Sequence, residues 1–411
     1  MSRSFFGELC QLDWQDITLR INAMTAADVQ RALTAPSPDA HDLMALISPA
    51  ADGFLEQMAQ RAQALSRQRF GSTIGMYVPL YLSNMCANNC SYCGFSSHNR
   101  ITRKILSGEE IERECEAIKA LGFDQVVIVT GEHPKKVGMA YFREHLPRIR
   151  RHFSHLMMEV QPMRIEDYAE LRTLGVDTVL VYQETYHPAL YDQHHLSGFK
   201  TDFQWRLETP DRLGLAGMSK IGLGALLGLS ADWRTDCFMM TEHLRYLRER
   251  YWQSRFSISF PRLRPCEGGI TPAALVTERH LVQLICAYRI AFPDVELSLS
   301  TRESARFRDH VAPLGITSIS AFSQTQPGGY ANTHDHHLEQ FTPDDHRTPE
   351  QVADALRQSG LQPVWKDWDA GFGRQAPSAH TSSDSSDALS EHPHPVRHTR
   401  PATAIHEEQQ A

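Results

Sequence analysis

The sequence predicts an α/β protein whose main body is a parallel (β/α)8 barrel of the TIM type. Three observations lead there. Eight short apolar runs recur from residue 74 onward, at 74–82, 125–130, 156–161, 178–182, 220–224, 256–260, 295–300 and 317–321. Stretches with apolar residues at helical spacing fall between them, including 108–121, 139–152, 165–174 and 236–251. The span 74–335 also matches the length of about 250 residues typical of that fold.

Ahead of the barrel, Leu43, Met44, Leu46 and Ile47, then Phe54, Leu55, Met58, Ala62 and Leu65, recur at helical intervals. Residues 1–73 are therefore expected to form an N-terminal helical extension. The barrel follows at 74–335, and a segment at 336–372 is expected to pack on it. From residue 375 the chain is rich in Ser, Thr, His, Pro and acids, with almost no large apolar side chains. Such a stretch buries too little surface to offset its ordering entropy, so 373–411 is expected to be a disordered tail. The unspaced histidines His334, His336 and His337 are expected to be solvated rather than metal ligands.

Composition narrows the function classes. The 411 residues carry a formal net charge of −8 and show no basic stripe interleaved with aromatics, which argues against a general nucleic-acid binder. No apolar run approaches the ~18 residues of a membrane span. The first residues lack the apolar core and cleavage site of a signal peptide, so the cytoplasm is the expected location.

In a barrel of this kind the active site lies where the strands end. Polar and glycine residues cluster at those ends: the Cys86 loop after the first strand, Thr130-Gly131-Glu132 after the second and Gln161-Pro162 after the third. Gln183-Glu184-Thr185-Tyr186 follows the fourth, Thr301-Arg302-Glu303 the seventh, and Ser320 opens a polar, Gly-rich stretch after the eighth. A buried arginine without a partner is expensive. Arg302 is thus expected to meet an anion, a substrate carboxylate with Ser320 as second donor, or else to pair with neighbouring Glu303.

The cysteines sharpen this picture. Cys86-Ala-Asn-Asn-Cys90-Ser-Tyr92-Cys93 places three thiols in one polar loop. Three thiolates hold three irons of a [4Fe–4S] cube and leave the fourth open to an exchangeable ligand. Structural zinc wants four ligands, and the nearby fourth candidate is His98. Unligated thiols are the remaining alternative. Cys10, Cys115, Cys237, Cys266 and Cys286 show no pairing rhythm and are expected to be small buried hydrophobes.

The cysteine triplet resembles the radical S-adenosylmethionine (SAM) superfamily. That resemblance implies a [4Fe–4S] cluster on Cys86, Cys90 and Cys93, with SAM at the open iron and Tyr92 against its adenine. Gly131 would let carbonyls approach the SAM ammonium, with Glu132 adding negative charge. Gln183 and Glu184 would accept from the ribose hydroxyls. Arg206 would form a fork with the SAM carboxylate, the alternative being an ion pair on a helix surface.

A narrower resemblance runs from about Trp14 to Trp368, to the 2-iminoacetate synthase family of thiamine biosynthesis. It rests on Tyr81-Leu-Ser-Asn-Met-Cys86, Val129-Thr-Gly-Glu132, Tyr182-Gln-Glu-Thr-Tyr186, Ile221-Gly-Leu-Gly-Ala225 and Ser259-Phe-Pro-Arg262. Ser300-Thr-Arg-Glu303, Gln326-Pro-Gly-Gly-Tyr330 and Pro363-Val-Trp-Lys-Asp-Trp368 extend it. The family implies radical cleavage of the L-tyrosine Cα–Cβ bond to 2-iminoacetate and p-cresol, with Arg302 on the amino acid carboxylate. It also implies thiazole synthase as partner and flavodoxin or ferredoxin as electron donor. The tyrosine lyase of [FeFe]-hydrogenase maturation resembles it too, but that enzyme has a second cluster on C-terminal cysteines, and this chain has no cysteine after Cys286. A tryptophan lyase of the same superfamily is a further alternative. From a different class comes a non-catalytic iron–sulfur scaffold, which would not need Gly131, Glu132, Arg206 and Arg302 at strand ends.

Overall fold

The structure is a computed structural model and describes residues 4–331 and 338–366. The expected tail at 373–411 and the histidines at 334–337 lie outside the described residues. Eight parallel strands form the barrel: β1 (Thr73–Ser83), β2 (Gln125–Thr130), β3 (His155–Glu159), β4 (Val176–Leu180), β5 (Lys220–Gly224), β6 (Arg255–Ser259), β7 (Glu296–Leu299) and β8 (Ser318–Ser320). Each pairs with the next in sequence, and β8 returns to β1 through the register Gly75↔Ser318 to Tyr77↔Ser320, closing the ring.

The strands form where β-branched residues concentrate, as in the fully buried Gln-Val-Val-Ile-Val-Thr of β2. The helices between them begin at polar caps. Ser107 accepts from the Glu110 amide while the Glu110 carboxylate accepts from the Ser107 amide, starting helix Gly108–Ala120. Thr277 and Thr348 cap helices Glu278–Ala291 and Pro349–Gln358 in the same reciprocal way. All eight expected strands are present, though β3, β4 and β7 stop before Gln161, Tyr182 and Ser300. The apolar runs outlast the ladders because Val160 and Val181 are buried by packing beyond the last paired residues, Glu159↔Leu180.

Helices Phe5–Leu9, Trp14–Asn22, Ala26–Thr34, Ala40–Ile47 and Leu55–Phe70 precede β1. Their apolar stripes share one core with the barrel helices. Gln283 seals the junction, its side-chain amide donating to the carbonyls of Leu46 (2.9 Å) and Ser48 (2.7 Å). Two pairings escape the sequence pattern. A short strand, Gln362–Val364, adds in parallel to the start of β1. A two-stranded antiparallel ribbon joins Asn89–Cys90 to His195–Ser197 and ties the cysteine loop to the segment after β4. Among the described residues, no helix is long and apolar enough to cross a membrane.

Candidate active site

A cavity runs from the C-terminal mouth of the barrel into its interior, and Cys86, Cys90 and Cys93 all line it. The loop that carries them is pinned at Asn88. The Asn88 side-chain amide donates to Glu132 (2.7 Å), and its oxygen accepts from the Lys200 amide (3.0 Å). Gly131 and Gly198 permit this packing. A Cβ on residue 131 would collide with the Met85 carbonyl, and one on Gly198, at φ +99°, with the Asn88 side chain and the Ala87 carbonyl.

The donor set fits a three-point attachment to a cluster. Three thiols facing one cavity from separate positions suit the separate corners of a cube, and His98 is exposed and lies outside the cavity lining. Burial pushes the Cys86 thiol up to about 11 and raises those of Cys90 and Cys93, so coordination is what would ionise them at neutral pH. Of the other cysteines, Cys115, Cys237 and Cys286 are buried as expected. Cys10 is exposed, and Cys266 is half-buried, its thiol donating to the Tyr92 carbonyl (3.2 Å), because both sit on loops or helix ends rather than core faces.

Beside the loop lies a network of opposite charges. Arg206 is buried, not on a helix surface. Its guanidinium pairs with Glu132 (2.9 Å), approaches Glu184 (3.7 Å) and donates to the Tyr182 carbonyl (2.6 Å). Lys200, which the sequence reading missed, pairs with Glu184 at 2.7 Å. Burial would raise the Glu132 carboxyl, but the Arg206 and Lys200 charges hold it below the usual carboxylate range. Glu184 sits at φ +71°, a conformation rare for side-chain-bearing residues, fixed by the Leu226 amide on its carbonyl (2.8 Å) and by Lys200. Gln183, in contrast, is buried but does not line the cavity, although Tyr182 and Glu184 on either side of it do, the chain turning at Glu184.

Tyr92 faces the cavity with its hydroxyl 2.8 Å from His195 Nε2. Burial and the Lys200 charge keep His195 neutral. Its Nδ1 lies 2.7 Å from the Tyr191 carbonyl and must carry the proton, so Nε2 accepts and the Tyr92 hydroxyl donates.

Across the mouth, Glu303 pairs with Arg262 rather than Arg302. The Arg302 guanidinium stacks on the Phe341 ring at 3.5 Å and has no carboxylate partner among the described residues. Ser320 lines the same wall, its hydroxyl accepting from the Thr301 amide (3.1 Å).

Known proteins carry this arrangement. Residues 80–238 match the radical SAM superfamily, and residues 259–362 match the Biotin and Thiamin Synthesis associated domain. The 2-iminoacetate synthases of Salmonella typhimurium and Escherichia coli are 64% and 63% identical to the chain over 372 residues, 90% of this chain and 98% of each relative. The chain belongs to the 2-iminoacetate synthase family. Its members are radical SAM lyases, and the radical SAM match covers the cysteine loop and the barrel from the end of β1 through β5. Among solved structures, the [FeFe]-hydrogenase maturase HydG superposes with a TM-score of 0.80 at 29% identity, over 86% of this chain and 79% of that one. The far higher identity to the 2-iminoacetate synthases favours that family over the maturase reading. Within this family framework, the sequence reading gave no role to Asn88, Glu159 and Lys200, which line the cavity, or to His195, which holds the Tyr92 hydroxyl. Glu159 lies within an apolar run and Lys200 in a single 3-10 turn, so neither carries a local signal.

Proposed function

We propose that this protein cleaves the Cα–Cβ bond of L-tyrosine to 2-iminoacetate and p-cresol, with SAM converted to 5′-deoxyadenosine and methionine. The observation that carries the reading is near-full-length identity to 2-iminoacetate synthases, supported by an Arg302 without a carboxylate partner among the described residues, on a cavity lined by three thiols. A [4Fe–4S] cluster on Cys86, Cys90 and Cys93 with bound SAM would supply the radical that takes a hydrogen atom from the substrate.

The chain's own residues then have defined tasks. Arg302 forks the α-carboxylate of tyrosine, with Ser320 as a second donor. Tyr92 supports the adenine, and Gly131 lets backbone carbonyls meet the SAM ammonium. Glu184, already bonded to Lys200, offers its remaining oxygen to a ribose hydroxyl. Arg206 has its charge balanced by Glu132, so its remaining N–H groups position the SAM carboxylate within a neutralised network. The closed barrel excludes water from the reacting atoms. Gln183 supports this wall from behind rather than touching SAM.

The imine product hydrolyses in water, so direct transfer to thiazole synthase for the thiazole of thiamine fits the chemistry. Flavodoxin or ferredoxin in the cytoplasm would be the electron donor. The test is anaerobic reconstitution with iron, sulfide, SAM and reductant. 5′-Deoxyadenosine with p-cresol from tyrosine, and no indole product from tryptophan, is the expected result. A cluster-loaded protein that forms no 5′-deoxyadenosine would leave only a scaffold.

A further inference from the structure

Most charged side chains lining the cavity are committed to one another. Glu132 pairs with Arg206, Glu184 with Lys200, Lys220 with Glu296, Glu303 with Arg262 and Arg264 with Asp344. Among the described residues, the cavity charges without an opposite partner are Arg302 and Glu159. They stand on opposite walls. Glu159 ends β3 and Arg302 follows β7, with three strands between them in either direction around the ring.

Glu159 points inward because it alternates with Met157 along β3, and both line the cavity. Its ladder neighbours Val129 and Leu180 face the same way. With Val127, Met157, Tyr81 and Phe95 they form an apolar cluster separate from the main core. An amino acid held by its carboxylate at Arg302 thus faces an apolar shelf with one carboxylate at its far edge.

Resting on the tyrosine reading above, we propose that Glu159 accepts the substrate's phenol hydroxyl, fixing the ring and setting the preference for tyrosine over phenylalanine. A carboxylate left without a donor beside apolar walls is unfavourable, and a phenol O–H satisfies it. Burial and the Glu184 charge push the Glu159 carboxyl up to about 7, as a group awaiting a partner would behave. The α-ammonium is the other possible donor. It sits on the carbon that bears the α-carboxylate, and so on the Arg302 side of the cavity.

The test uses full-length enzyme reconstituted without oxygen, with SAM and without reductant, and reads binding of L-tyrosine and L-phenylalanine by calorimetry. Glu159→Ala is expected to weaken tyrosine at least ~10-fold and to move phenylalanine less than ~3-fold, because a site built for a hydroxyl discriminates through that bond. Glu159→Gln keeps the shape and an acceptor oxygen, so a smaller loss confined to tyrosine is expected. Iron content and SAM binding equal to wild type establish that each variant is folded. Equal weakening of both amino acids, as an ammonium contact would give, overturns the proposal, as does unchanged tyrosine binding. Wild-type protein that yields no p-cresol under reductant would instead sink the tyrosine reading. Wild-type turnover alongside unchanged discrimination in both variants sinks the Glu159 role alone.

Discussion

Arg302 lies half-buried on the cavity wall, with one face on Phe341 and one N–H on the Arg262 carbonyl (3.5 Å), so an incoming carboxylate finds a guanidinium already held in place. Charge-assisted hydrogen bonds contribute about 1.5–3 kcal/mol, and losing them in Arg302→Ala should raise the KM for tyrosine roughly 10- to 100-fold. SAM binding in that variant should stay at the wild-type level, and a fall in SAM affinity with unchanged tyrosine KM would place Arg302 at the cofactor instead. Glu159 gives a pH-dependent signature. Its carboxyl is raised from 4.5 to about 7 by burial first and the Glu184 charge next, against the lowering influence of Arg302, Lys200 and Arg206. A raised carboxyl holds its proton more tightly when folded, so its contribution to stability is complete below the unfolded value. That contribution is lost as pH rises through 7. Glu159→Gln escapes this loss. Its melting temperature relative to wild type should therefore climb between pH 4.5 and 7 and level off above, by a few degrees because the group faces the cavity. A difference flat across that range would show that Glu159 titrates normally.

The loop that carries the cysteines is shaped by contacts distant in sequence. Asn88 is held by Glu132 and by the Lys200 amide, and the ribbon pairs Cys90 with His195. Gly198→Ala would force both a strained φ and a collision with Asn88. Iron bound per chain after reconstitution should fall at least ~2-fold, while the circular dichroism of the barrel persists, since a strain of order 1–3 kcal/mol acts on the loop alone. Full iron loading would mean that the ribbon does not shape the site. These contacts also mark what the sequence leaves unread. The strands of the barrel were legible because Val- and Ile-rich runs announce themselves locally, and the cysteine triplet because its spacing is fixed by one loop. The ribbon has two or three residues a side and no periodicity to detect. The Arg206–Glu132 and Lys200–Glu184 pairs depend on how the segment between β4 and β5 folds back over the mouth, which no local pattern encodes. For Arg206 the sequence therefore left a helix-surface ion pair open beside the carboxylate fork, and Gln183 read as a cavity residue because the turn at Glu184 with φ +71° has no sequence signal.

Closure itself depends on a short seam. β8 meets β1 through three paired residues, and the segment behind it is latched by charge. Arg308, fully buried, donates to Asp345 and to the Ser320 carbonyl, so one guanidinium joins the helix Ala305–Gly315, the last barrel strand and the C-terminal segment. Arg347 completes the latch, bonding Asp345 and both oxygens of Asp309 (2.9 Å each). Burial opposes ionisation of Asp345, yet the Arg347 hydrogen bond and the Arg308 charge hold its carboxyl below the ordinary range. Removing that carboxylate strands a buried cation, which typically costs about 3–5 kcal/mol. Asp345→Asn should accordingly lower the melting temperature by several degrees and loosen the Ser320 wall, raising the tyrosine KM as well. The double variant Arg308→Met with Asp345→Asn removes the stranded charge and should recover part of the loss, because an apolar side chain of similar length suits the buried site. If the double variant were less stable than Asp345→Asn alone, the seam would be held by the Arg308 hydrogen bond to Ser320 rather than by balance of charge.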